Sequence, residues 1–279
     1  MGTILTGELG AVVSATAGSD LEQLLVTALR DTTLSYKEDA TIEDTSGKGD
    51  GYMTRAVGLR SGTLNFEGLY PRSSPRFGAS GLFTLTGTTF TQVESYTLDI
   101  DWGEEEITGM ASAGVTSRSY MPLGYPEFKA SIVCRADSAS ALPSTTALHG
   151  SAANIAFKLT EDGTDPAFTG SAVGLIASKG VQSGQRGAIK PTYDVMLTGQ
   201  LTSVAGSTLP ALLPAGTVDR SDWDTNSDGS ADVQLVWKVA TGRTYTSYAF
   251  LRSLRVVVAV NQLIRVSGVI RLTGDIATA

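Results

Sequence analysis

One hairpin pattern, written twice, constrains this chain more than any other feature. Tyr96-Thr97-Leu98-Asp99-Ile100-Asp101-Trp102 alternates apolar and polar residues. On a strand this sends Leu98, Ile100 and Trp102 to one side and Thr97, Asp99 and Asp101 to the other. An acidic, Gly- and Ser-rich passage follows (103–119), then the return segment Tyr120-Met121-Pro122-Leu123-Gly124 and a second strand, Glu127 to Cys134. Earlier, Thr33-Leu34-Ser35-Tyr36-Lys37 alternates like Thr97 to Asp101, and a polar loop, Asp44 to Tyr52, comes after it. Val57-Gly58 and Thr63-Leu64-Asn65-Phe66 then stand where Leu123-Gly124 and Lys129-Ala130-Ser131-Ile132 stand in the other copy. A hairpin carried twice predicts a domain carried twice.

Later segments repeat as well. Leu235-Val236-Trp237-Lys238-Val239 matches Ile155-Ala156-Phe157-Lys158-Leu159, and Tyr245 to Ala249 matches Phe168 to Ala172. Ile270-Arg271-Leu272-Thr273-Gly274 matches Val195-Met196-Leu197-Thr198-Gly199. Thr84-Leu85-Thr86-Gly87 echoes Ile4-Leu5-Thr6-Gly7, just after the Pro- and Ser-bearing linker 70–75. The order of these pieces predicts nesting. One domain occupies 1–75 and 205–279, and a complete copy, 76–204, is inserted at a surface loop, where insertion is tolerated because domain ends lie close together. The expected class is mainly β: two similar β-sandwich or half-barrel domains, each with a long-loop hairpin and about one short helix. The clearest helix is Asp20 to Arg30, whose Leu21, Leu24, Leu25, Ala28 and Leu29 form an apolar stripe behind a Ser19/Glu22 capping box.

Net charge is −7, with eight Lys/Arg against twelve Asp/Glu in 76–204 and thirteen against sixteen in the split segments. Such a surface is not built to grip DNA or an anionic membrane, although a channel that DNA traverses is compatible with it. The single cysteine, Cys134, excludes an intrachain disulfide and reads as a buried thiol. No basic segment after Met1 suggests a secretory signal, and the apolar run Val256 to Val260 is far too short to cross a bilayer, so no membrane insertion is expected.

Arg118-Ser119-Tyr120-Met121-Pro122-Leu123-Gly124 carries a Tyr-x-Pro-x-Gly segment after the long loop, and Arg243-Thr244-Tyr245-Thr246 and Leu272-Thr273-Gly274 carry two later signatures. In this order the pieces resemble the major tail tube proteins of long-tailed, siphovirus-like bacteriophages. The resemblance covers 82–204 well and the split copy less well, where Arg55-Ala56-Val57-Gly58 lacks the proline. It implies a virion structural protein without catalysis, assembled in the host cytoplasm into the virion tail. Rings of six similar domains stack into a hollow cylinder, and their inner hairpin sheets join into one β-barrel whose lumen conducts DNA during ejection. A chain with two such domains implies a homotrimeric, pseudo-hexameric ring. The implied partners are further copies of the chain, the tape measure protein and genomic DNA inside the lumen, and distal tail and terminator proteins at the two ends.

On that resemblance Thr33, Ser35, Asn65, Glu67, Thr97, Asp99, Asp101 and Ser131 are expected to face the lumen. Leu34, Tyr36, Leu64, Phe66, Leu98, Ile100, Ala130 and Ile132 are expected to face the core. Asp99, Asp101 and Glu67 would make the bore negative, so that DNA slides, the reverse of counterion-release attraction; Lys37 and Lys129 share these polar faces. Ordinary solvated strands alternate in the same way. The loops bearing Glu104, Glu105, Glu106, Lys48 and Asp50 are expected to reach the adjacent ring, or simply to be solvated charge runs.

Asp224, Asn226, Asp228 and Asp232 sit at alternating oxygen-ligand positions beside Gly229, as in a calcium loop. Leu235 stands where a bidentate Glu is needed, and an Asx/Gly-rich turn explains the segment equally. A calcium-stabilised β-sandwich binding or adhesion module is therefore the alternative function, with a distal-tail or terminator ring component as a third. His149, the only histidine, has no nucleophile beside it, so no enzymatic site or cofactor is expected beyond that possible calcium.

Overall fold

The computed structural model describes residues 11–44, 55–71, 82–85, 88–89, 93–108, 117–121, 126–135, 155–158, 167–170, 173–182, 189–198, 201–204, 210–218, 231–240 and 243–278. The chain is mainly β. Its strands are β1 (Ala11–Ala15), β2 (Arg30–Asp44), β3 (Arg55–Leu69), β4 (Leu82–Leu85), β5 (Thr88–Thr89), β6 (Val93–Asp101), β7 (Glu105–Glu106), β8 (Tyr120–Met121) and β9 (Glu127–Cys134). They continue with β10 (Ile155–Lys158), β11 (Ala167–Gly170), β12 (Val173–Gln182), β13 (Lys190–Thr198), β14 (Leu201–Val204), β15 (Gly216–Thr217), β16 (Gln234–Ala240), β17 (Arg243–Ala259) and β18 (Arg265–Thr278). Among the described residues no helix is long and apolar enough to cross a membrane.

The helical stripe is a packing face, as its spacing predicts: Leu21, Leu24, Leu25, Ala28 and Leu29 are all buried. The helix is shorter than predicted. It is a π-helical turn over Glu22–Ala28, and Leu29, already extended, closes it by donating its N–H to the Leu24 carbonyl at 3.1 Å. Arg30 belongs to β2. Ser19 Oγ accepts from the Glu22 N–H at 3.3 Å, while the Glu22 carboxylate reaches one residue further back, to the Gly18 N–H at 2.6 Å.

One sheet dominates. Its continuous path is β12-β13-β9-β6-β17-β18-β3-β2, every neighbour antiparallel. The amino-terminal half of β17 also pairs with β16, and β16 with β1, so β17 runs from one layer into the next. A second sheet has the order β15-β14-β11-β10-β4-β5. The inward sides share one hydrophobic core: Tyr96, Leu98 and Ile100 of β6, Phe128, Ala130 and Ile132 of β9, Leu64 and Phe66 of β3, and Leu254, Val256 and Val258 of β17. Trp102 and Trp237 are wholly buried in it. Leu34 and Tyr36 of β2 only pack against its margin.

Strands from 1–75 and 205–279 pair with one another through β1–β16 and β3–β18. Strands from 76–204 pair among themselves through β6–β9, β9–β13, β4–β10 and β11–β14. Among the described residues two strand pairings cross the predicted boundary, β6–β17 and β14–β15, beside an isolated parallel bridge between Arg60 and Ser117. The segment Ile4–Gly7 lies outside the described residues; the strand standing on β16 as β4 stands on β10 is β1, Ala11–Ala15.

Candidate functional site: the polar face of the long sheet

Antiparallel neighbours that stand directly opposite share a face. One row therefore reads Lys129, Asp99, Arg255, Ser267, Glu67 and Thr33 across β9, β6, β17, β18, β3 and β2. The next reads Glu127, Asp101, Ser253, Val269, Asn65 and Ser35. A third contains Ser178, Asp194, Ser131, Thr97 and Val257. All eight residues expected to face a lumen thus lie on one side of one sheet. Thr33, Ser35, Asn65, Glu67, Asp99 and Asp101 line a single open concavity with Ser253, Arg255, Ser267 and Val269.

The charge on this face is mixed, with cations set among the carboxylates. Arg255 Nε lies 3.5 Å from Asp99, and Arg265 Nη1 lies 3.0 Å from Glu67. Lys129 pairs with Glu127 at 3.1 Å, and Asp101 Oδ1 accepts the Gly103 N–H at 2.9 Å. Asp99 and Glu67 are thus paired with arginines, whereas Asp101 is held by a backbone N–H and keeps its charge. Asp194 accepts hydrogen bonds from Ser178 Oγ at 2.5 Å and Ser131 Oγ at 2.7 Å, which hold its carboxyl below the usual range. The neutralising arginines come from the two carboxy-terminal strands, which were not assigned to this face from the sequence. The signal was present in the alternation Ser253-x-Arg255-x-Val257 and Arg265-x-Ser267-x-Val269.

The acidic loop after β6 turns back onto its own chain. Glu104 Oε2 lies 3.2 Å from Arg271 Nε and 3.7 Å from Arg252 Nε, and the Arg271 guanidinium sits 3.7 Å from the centre of the Tyr120 ring. Glu106 pairs with Arg118 at 3.0 Å, and Arg118 also donates to Thr41 Oγ1 at 2.7 Å. Backbone bonds fasten the same loop to β3 and β18: Arg118 N–H to the Arg60 carbonyl at 2.7 Å, and Gly274 N–H to the Arg118 carbonyl at 3.0 Å. Glu104 thus ties the start of the loop to the split segments, Glu106 pairs within the loop, and Glu105 and Glu106 are exposed. Lys48 and Asp50 lie outside the described residues, as do Asp224, Asn226 and Asp228. Asp232, on the approach to β16, is half-buried.

Among the described residues β12 pairs only with β13, and β2 only with β3, so both ends of the eight-strand path are open there. The path also divides into two runs of the same order. Hairpin strand, returning strand, and then the second and first strands of the later long hairpin read β2-β3-β18-β17 in the split segments and β6-β9-β13-β12 in 76–204. A bulge skips one residue at the same place in each run, between Leu251 and Ser253 of β17 and between Ile176 and Ser178 of β12.

No protein-family model matches this chain, and no curated protein is similar to it.

Proposed function

We propose that this chain is the tube-forming structural subunit of a siphovirus-like phage tail, built from a duplicated domain and assembling as three copies per ring around a DNA-conducting lumen. The observation that carries the reading is the repeated strand order with its repeated bulge, ending on two open edges of opposite type. A head-to-tail chain of such units either closes into a ring or grows without limit, and closure is the general solution to exposed strand edges. Three copies of the eight-strand path, with strands about 4.8 Å apart and tilted by about 40°, would close a wall roughly 50 Å across between backbones.

The polar face suits a conduit. Free arginines would bind phosphate by releasing counterions. Arginines already held by carboxylates, as Arg255 and Arg265 are, would let a duplex pass with little net attraction. The mechanism is thus local neutralisation in place of the uniform repulsion expected from the sequence. The tape measure protein would fill the same lumen before DNA does.

Negative-stain images of the purified protein over a range of concentrations test the proposal. Rings or cylinders of constant bore are expected. Particles that stay single at every concentration, with a thermal midpoint that rises on adding calcium, would overturn it in favour of a calcium-stabilised sandwich module.

A further inference from the structure

The one junction between the two four-strand runs, β17 against β6, is a template for the contact between copies. Which residues correspond follows from the registers alone. Ile270 stands between Leu64 and Leu251, and Val195 between Ala130 and Ile176. Counting across the shared bulge, Ser253, Arg255, Val256 and Val257 of β17 correspond to Ser178, Gly180, Val181 and Gln182 of β12. On the other side, Asn65 stands opposite Ser35 and Ser131 opposite Thr97, so Thr97, Leu98, Asp99 and Asp101 of β6 correspond to Ser35, Tyr36, Lys37 and Asp39 of β2. Within the chain Ser253 faces Asp101, Arg255 faces Asp99, Val256 faces Leu98 and Val257 faces Thr97.

Resting on the tube reading, we infer that β12 of one copy adds antiparallel to β2 of a second copy in the same register. Ser178 then stands opposite Asp39 of the second copy, Gly180 opposite Lys37, Val181 opposite Tyr36 and Gln182 opposite Ser35.

Two observations beyond topology support this register. The first is burial. At the internal junction Val256 and Leu98 are both 0% exposed, whereas Val181 is 60% exposed and Tyr36 is half-buried. The positions that are sealed where a neighbour is present are open where it is not, and an exposed β-branched residue on an edge strand is what a pairing partner would cover. The second is charge. Ile100 faces Leu254 inside the chain. The corresponding positions at the open edges are Glu38 and Lys179, so an apolar pair is replaced by residues of opposite sign. A slip of two residues would keep the faces but set Lys179 against Tyr36 or Ala40. Opposite charges directly across a strand pair are favourable.

Cysteine pairs test the register. Gln182→Cys with Ser35→Cys, and Ser178→Cys with Asp39→Cys, place thiols directly opposite across the proposed contact. Ser178→Cys with Ser35→Cys is offset by four residues, about 13 Å along a strand, beyond disulfide reach. The native Cys134 is buried and 5% exposed. Under mild oxidation of assembled protein, both matched pairs are expected to give a ladder ending at covalent trimer, and the offset pair only monomer. Assemblies that cross-link through the offset pair, or through neither matched pair, would overturn the register and leave the tube reading standing. Protein that never assembles would overturn both. Val181→Arg supplies a second measurement, because its site is solvent-exposed in the single chain. It is expected to leave the thermal midpoint unchanged and abolish assembly, and a Val181→Arg protein that assembles like the parent contradicts the inference.

Discussion

At the scale of single residues, Arg255 and Arg265 decide what the polar face can do. Removing their partners by Asp99→Asn with Glu67→Gln should free two guanidinium groups. The salt dependence of DNA binding by assembled protein should then steepen by about 0.9 in log–log slope per freed charge, measured by titration at several salt concentrations. The fold itself should lose little, since exposed ion pairs contribute about 0–1 kcal/mol. Cys134 makes a separate prediction. Burial, then the Glu94 carboxylate, push its thiol up to about 11, from about 8.5 in an unfolded chain. The neutral thiol's contribution to stability is therefore whole below the unfolded value and declines as pH rises toward the folded one. Alkylation at neutral pH should follow unfolding, and fast modification of the native protein would refute the burial. Gly268 is a third case: a Cβ there would strike the Ser253 carbonyl and approach Phe66 to 2.8 Å. Gly268→Ala should cost about 1–3 kcal/mol or more in denaturant unfolding. The core-facing residues were legible from alternation, because burial of one strand face follows directly from period two. The arginine partners were not, because a cross-strand neighbour depends on strand order, which alternation does not encode.

At the scale of elements, the second hairpin's return segment is fastened to β18. Thr273 Oγ1 accepts the Tyr120 N–H at 2.8 Å and donates to the Tyr120 carbonyl at 3.1 Å, in a buried site. Thr273→Val keeps the shape and strands both backbone groups, so a loss of about 1–3 kcal/mol is expected in chemical denaturation. No measurable loss would mean that the ion pairs and the backbone bonds of Arg118 suffice to hold the loop. The existence of both hairpins was readable, but their alignment was not. Matching Thr33 with Thr97 by sequence is displaced by two residues from the match that the registers define, Ser35 with Thr97. A slip of two preserves every inward and outward assignment, so the hydrophobic pattern cannot detect it. Alternation marks only part of each arm of the first hairpin: β2 and β3 each run for fifteen residues, and Glu38-Asp39-Ala40 and Arg60-Ser61-Gly62 carry no apolar alternation.

At the scale of the whole molecule, the described residues supply two runs of four strands, one interior junction and two open edges. The recurrence of short motifs in one order is visible in the sequence. That the two runs share one sheet and one core is not, because nothing local to β6 or β17 specifies the other as its neighbour. The central claim is that the open edges meet between copies as β17 and β6 meet within one. Cryo-electron microscopy of the assembled protein at a resolution that separates strands tests it most directly. The account predicts three chains per ring and an unbroken antiparallel wall in which β12 of each chain lies beside β2 of the next. A ring whose wall is interrupted between chains, or one in which these two strands face solvent, would contradict it.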